Sequence, residues 1–216
     1  MRIKWLGHAC FLIVSDGGIR IITDPYQVGN GINYAPINES ADIVVMSHDH
    51  HSDHWNVAAV KGKPEIVRGS GIKKVKGIEF KGVATYHDEA KGAQRGTNTI
   101  FCFTVDGIRL CHAGDLGHEL TSEQASQIGK IDILFLPVGG FYTIDAHTAG
   151  KVVDKLKPKI TMPMHYKTAK CDYPISGVED FLRGKSNVKR LDSSELELAA
   201  KDLPSAIQII VLKHAL

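Results

Sequence analysis

Short apolar runs that stop abruptly dominate the first 115 residues: RIKWLG, CFLIV, IRIITDP, DIVVMSH, PEIVR, IEFKGVATYH, TIFCFTV and IRLCHAGD. They are rich in β-branched and aromatic residues and too short for core helices, so they read as strands. The turn pairs Asp16-Gly17 and Asp106-Gly107 join neighbouring runs into hairpins. From residue 131 the texture changes to IDILFLPVGG, the helical TIDAHTAGKVVDKLKP and KITMPMHY. Strand, helix, strand in this order is the pattern of a parallel βαβ crossover. A last strand, AIQIIVLK, comes near the C-terminus, and helices are predicted at 53–61, 121–128, 145–156 and 177–183.

Two segments echo each other. FLIVSDGGIRIITDP (11–25) and IFCFTVDGIRLCHAGD (100–115) both run strand, Asp-Gly turn, strand, and both finish at an Asp on a strand end. Two similar β-rich halves suggest an α/β (α+β) fold, a four-layer αββα sandwich of two facing mixed sheets with helices outside. No Pro- or Ser-rich linker divides the chain, so residues 1–216 are read as one domain.

Charge narrows the partners. Lys plus Arg number 26 against 24 Asp plus Glu, a formal charge of +2, with both signs mixed along the chain. Such a balance leaves no electrostatic footprint for nucleic acid or a membrane surface, and a small or anionic metabolite fits better. The segment MRIKWLGHACFLIV is broken by His8 and lacks a cleavage signature, so it reads as a first strand and not a signal peptide. Nothing approaches the roughly 20 apolar residues of a membrane helix. Cys10, Cys102, Cys111 and Cys171 form no CxxC pair and read as buried free thiols of a cytoplasmic protein. The oligomeric state is left open.

Histidines fall where strands end. His48 follows DIVVMS, His87 ends GVATYH, Asp115 ends IRLCHAGD and His165 ends ITMPMH, while SHDHHSDHW (47–55) holds four histidines and two aspartates. Rigid strand ends converging on one rim can fix ligand geometry. Imidazole and carboxylate together suit zinc, iron or manganese, and the lack of paired thiolates argues against a zinc-finger type of site. His48 and His50, two apart on an extended segment, point the same way. Asp53 and His54 sit at the start of the predicted helix, with Ser52 as its N-cap.

Taken in order, LGHACFLI, TDPY, the Ser-His-x-His and Asp-His elements, RGTNTIF, HAGDLGH, LPVGGFYTID and PMHYK resemble the metallo-β-lactamase superfamily of dinuclear metal hydrolases. Within it the set is similar to the small stand-alone branch related to L-ascorbate-6-phosphate lactonase. One departure stands out. The superfamily pattern is His-x-His-x-Asp-His, and His48-Asp49-His50-His51-Ser52-Asp53-His54 has one residue too many. Counting back from Asp53 selects Asp49 and His51; counting forward from the strand selects His48 and His50. The forward count is preferred because it gives two neutral imidazoles directly after the strand.

The resemblance implies that His48, His50 and His87 bind a first metal, that Asp53, His54 and His165 bind a second, and that Asp115 bridges them. It implies two divalent ions, zinc first and manganese or iron as alternatives. A metal-bridging hydroxide would attack an ester, lactone or phosphodiester of a small anionic metabolite. Asp53 could orient that hydroxide, and His118 is the candidate to meet substrate. His112 is either a support for Asp115 or a buried packing residue, and Tyr166 either an oxyanion donor or packing. Arg95, Asn98 and Lys167 could meet an anionic group or be ordinary surface residues. His8 and His214 read as structural and His147 as exposed. Gly139-Gly140 lacks the spacing of a nucleotide-binding turn. Two competing classes are an iron-containing redox or oxygenase member of the same fold and a metal-dependent binding or sensing protein without turnover.

Overall fold

The computed structural model describes residues 1–49 and 54–216. Strands β1 (Arg2–Gly7), β2 (Cys10–Val14), β3 (Arg20–Thr23), β4 (Ile43–Met46) and β5 (Glu65–Arg68) belong to a six-stranded sheet. Strands β6 (Gly71–Val75), β7 (Ile78–Tyr86), β8 (Thr97–Val105) and β9 (Ile108–His112) start an eight-stranded one. There follow α1 (Ser122–Ile128), β10 (Ile133–Pro137), α2 (Ala146–Leu156), β11 (Ile160–Met164), α3 (Val178–Leu182), β12 (Val188–Arg190), β13 (Glu195–Glu197) and β14 (Gln208–Val211). The sheet orders are β13-β1-β2-β3-β4-β5 and β12-β14-β11-β10-β9-β8-β7-β6.

Both sheets are mixed, as expected. The hairpins β2–β3 and β8–β9 are antiparallel, while β3–β4–β5 and β9–β10–β11 run parallel. The two echoing hairpins therefore lie one in each sheet. Strand alternation puts Ile3, Trp5, Phe11, Ile13, Ile21 and Val45 on the inner face of the first sheet. Across the interface the Phe11 and Phe135 rings meet at 4.4 Å.

The outer layers differ from each other. Alternation turns Leu134 and Leu136 away from Phe135, and α2 adds Ala149, Val152, Val153 and Leu156 to the same apolar cluster. This helix starts at Asp145, whose carboxylate accepts the Thr148 N–H, and α1 starts on a Thr121/Gln124 capping box. On the first sheet the outward Leu6, Leu12, Ile22, Val44 and Met46 are covered by Tyr26, Tyr34, Ile37, Val60 and Ile175. The helix predicted at 53–61 is, over its described residues, a single 3-10 turn at Val57–Ala59. Tertiary pairing wins there: Asn56 N–H donates to the Pro25 carbonyl, Lys61 bridges Ser40, and no side chain caps the turn. The Ser52 cap lies outside the described residues.

Candidate metal centre

Five chain segments leave the two sheets at one rim, and each carries a polar side chain inward. Asp24 follows β3, Ser47 and His48 follow β4, His87 follows β7, Asp115 follows β9 and His165 follows β11. His8 occupies the β1–β2 bend. His8, Asp24, His48, His54, His87, His112, Asp115 and His165 are all buried.

Asp115 is the focus. Its Oδ2 lies 3.2 Å from His54 Nε2, 3.1 Å from His87 Nε2 and 3.4 Å from His165 Nε2. Two atoms bound to one ion at about 2.0–2.2 Å sit roughly 3–3.5 Å apart, so these spacings are those of donors sharing a cation. Asp115 Oδ1 and His165 Nδ1 have no hydrogen-bond partner among the described residues. A buried carboxylate oxygen with none costs free energy that a cation would recover. Burial pushes the Asp115 carboxyl up, but His165, His54 and His87 hold it well below the ordinary range. The donor set of imidazole and carboxylate fits a divalent metal.

His48 completes a group with His54 and Asp115 whose ligand atoms lie within 4.8 Å of one another; His8, His54 and His165 form a second such group. Burial, with His54 beside it, pushes His48 down to about 3, so its imidazole is neutral near pH 7. The hydrogen bonds also decide its tautomer. Asp24 accepts the Ser47 N–H at 2.7 Å and the Ser47 hydroxyl at 2.8 Å. With its single proton given to Asp24, Ser47 Oγ can only accept from His48 Nδ1–H, at 2.9 Å. That leaves the His48 Nε2 lone pair for a metal.

Asp24 was not among the sequence-derived candidates, although it ends one of the two echoing hairpins. It is fully buried at φ +35° and lies 2.7 Å from His112 Nε2 and 3.5 Å from His54 Nδ1. Burial would raise its pKa, yet His112 and His54 hold it well below the ordinary range. His112 thus combines both of its expected roles, burial and support, with Asp24 and not Asp115 as its partner.

Asn98, considered for an anionic substrate, is instead internal. Its amide donates to Thr85 Oγ1 and the Ala113 carbonyl, and its Oδ1 accepts the Asp115 N–H at 2.9 Å. Gly114, at φ +56°, lets this happen: a Cβ there would lie 2.3 Å from Ser47 Cβ and 2.5 Å from Asn98 Oδ1. Gly139 plays a similar part, since its Cβ would sit 2.3 Å from the His165 carbonyl oxygen.

His118 does not present a free imidazole to the cluster. Its Nε2 accepts the Tyr86 N–H at 3.2 Å and its Nδ1 donates to the Glu119 carbonyl at 2.8 Å. Read from the sequence as the residue to meet substrate, it holds the end of β7 just before His87 through Nε2, while Nδ1 is turned to the backbone of the next residue. Tyr166 packs against Trp5 with ring centroids 5.2 Å apart. Arg95 lies over the Tyr142 ring at 5.8 Å, Lys167 donates to the Tyr173 carbonyl, and His147 is exposed. His214, read as structural, packs on Trp5 and Tyr34. His50, Asp53 and the alternative ligand His51 lie outside the described residues, while Asp49 is exposed and paired with Arg68. Cys10, Cys102 and Cys111 are free thiols.

A family model described as a β-lactamase superfamily domain matches residues 2–165, which span every clustered side chain from His8 to His165. The chain belongs to the metallo-β-lactamase superfamily. A Thermotoga maritima structure described as a Zn-dependent hydrolase of this superfamily superposes with a TM-score of 0.80 at 38% identity, covering 98% of this chain and 97% of that one. A UPF0173 metal-dependent hydrolase of Thermoplasma volcanium is 30% identical over 78% of this chain and 84% of its own length. Another, from Pelotomaculum thermopropionicum, is 27% identical over 92% of this chain and 96% of its own.

Proposed function

We propose that this metal-dependent hydrolase uses two divalent ions, zinc foremost, to cleave an ester, lactone or phosphodiester of a small anionic metabolite. The observation that carries the reading is the convergence of His54, His87 and His165 on one buried oxygen of Asp115. His48, His50 and His87 would hold one ion and Asp53, His54 and His165 the other, with Asp115 between them. Such a pair supplies a hydroxide nucleophile at neutral pH and polarises the oxygen of the group attacked.

The chain's own residues do the rest. Ser47 fixes the His48 tautomer, Asn98 fixes the Asp115 backbone, and Asp53 is our candidate for orienting the nucleophile and moving its proton. A cavity of about 270 Å³ is lined by Asp88, the residue after His87, with Glu89, Arg95, Tyr142 and Asp145, among others. Arg95, over the Tyr142 ring, is our candidate for meeting an anionic group in this lining, beside the carboxylates of Asp88, Glu89 and Asp145. Free thiols fit a reducing compartment, and among the described residues no helix is long and apolar enough to cross a membrane. Cytoplasmic location belongs to the same reading.

The test is metal quantification on protein purified without added metal, followed by a panel of lactones, phosphodiesters and thioesters. Close to two equivalents of zinc, with turnover lost on chelation and in Asp115→Asn, is the expected result. Stoichiometric iron with oxygen consumption, or turnover that survives complete metal removal, would overturn it.

A further inference from the structure

His8 groups with two histidines of the sequence-derived ligand set, His54 and His165, but was not itself in that set. Its surroundings are those of a ligand. It is fully buried, its ring centroid lies 4.0 Å from that of His165 and 5.0 Å from that of His54, and the ligand nitrogens of the three rings fall within 4.8 Å of one another.

The backbone is built to hold it there. His8 sits at φ +51°, a left-handed conformation that Gly or Asn would adopt at less cost, in a bend where the β1–β2 register shifts. Its carbonyl accepts the Trp5 indole N–H at 3.0 Å and the His165 N–H at 3.2 Å. The bend and the end of β11 are therefore fastened to each other by the backbones of the two residues whose rings meet. A bulky residue in a strained, buried bend points to a role for its side chain. Two nitrogens bound to one ion at about 2.0–2.1 Å are at most about 4.2 Å apart, so a small ring rotation closes the group.

We propose that His8 is a further ligand of the ion held by His54 and His165, an assignment that rests on the two-ion reading above. Cation binding should draw the three rings together, and loss of His8 should weaken that ion while the other remains bound.

Two measurements test this. Metal-free wild-type and His8→Asn proteins are titrated with cobalt(II), followed by calorimetry and the visible spectrum. Asn keeps the left-handed bend open to the variant. We expect one of the two binding steps to weaken at least tenfold and the cobalt bands to change. Independently of how the variant folds, ¹⁵N NMR of the wild-type His8 ring is recorded with and without zinc, and one nitrogen should move to a metal-bound shift. Two unchanged binding steps with an unchanged cobalt spectrum, or His8 nitrogens that do not respond to zinc, would overturn the assignment. A wild-type protein that loads metal on His8 yet turns over nothing in the panel sinks the hydrolytic reading alone. Turnover by a protein whose His8 ignores zinc sinks only this one.

Discussion

His112 Nε2 lies 2.7 Å from Asp24 Oδ2, so a side chain of β9 in the eight-stranded sheet is tied to the residue that follows β3 in the six-stranded sheet. Asp24 also takes two hydrogen bonds from Ser47. It is the knot that keeps both sheets in register at the rim. Asp24→Asn preserves size and tolerates the positive φ, but it removes the charge and turns one acceptor into a donor. Hydrogen bonds to charged groups contribute about 1.5–3 kcal/mol each, so the metal-free variant should lose about 3 kcal/mol. Urea unfolding of chelated protein measures this, and a loss below about 1 kcal/mol would show that the knot is not structural.

Ser47→Ala addresses the tautomer. Without the hydroxyl, His48 Nδ1 loses this acceptor, and Ser47 no longer sets which ring nitrogen carries the proton. Losing such an orienting partner typically costs about 10–100-fold in metal affinity. Competition with a chromophoric chelator should show a loss of that size, with only a small change in metal-free stability. An unchanged affinity would mean that the ring is held by something other than Ser47.

Two glycines make opposite predictions from the same substitution. Gly114→Ala forces a Cβ against Ser47 and Asn98 at a positive φ, with clashes at 2.3 and 2.5 Å. Strain and overpacking together should cost about 3–5 kcal/mol. Gly150 lies inside α2 with nothing within 4 Å of a Cβ, and Gly150→Ala should gain about 0.5–1 kcal/mol. Thermal melts of both variants should move in opposite directions.

The legible part of the fold is the part that local pattern controls. The hairpins carried by Asp16-Gly17 and Asp106-Gly107 and the crossover from β10 to β11 could be read because their signals lie within a few residues of each other. The strand ends at His48, His87, Asp115 and His165 were legible for the same reason. Asp24 was not, because nothing near TDPY shows that Ser47, His54 and His112 will reach it. His8 read as structural because the ring it meets, His165, is far away in the chain. The place of His118 in HAGDLGH is conspicuous in the sequence, but its bonds to Tyr86 and Glu119 could be read only from the structure. The segment 53–61 has helical spacing, and only the tertiary pairing of its described residues with Pro25 and Ser40 shows why they form no more than the turn at Val57–Ala59.

Acid should destabilise the protein through carboxylates far from the cluster. Glu39 accepts from Lys4 at 3.0 Å and Arg20 at 2.8 Å, and Asp132 accepts the Arg109 N–H at 2.9 Å and pairs with Lys159 at 3.3 Å. Burial raises both, but these partners win and hold Glu39 below its ordinary 4.5 and Asp132 below its ordinary 3.8. A folded pKa below the unfolded one means that the unfolded chain takes up the proton first as pH falls. The contribution is therefore complete above the unfolded values and is lost as pH drops through the folded ones. Metal-free wild type and the double variant Glu39→Gln/Asp132→Asn should be compared by urea unfolding between about pH 7 and pH 3. The variant starts less stable and declines less steeply below about pH 4.5, since it has lost two of the groups whose protonation drives the slope. Parallel curves for the two proteins would place the acid sensitivity elsewhere, with His48, neutral when folded and charged when unfolded in acid, as the first group to test.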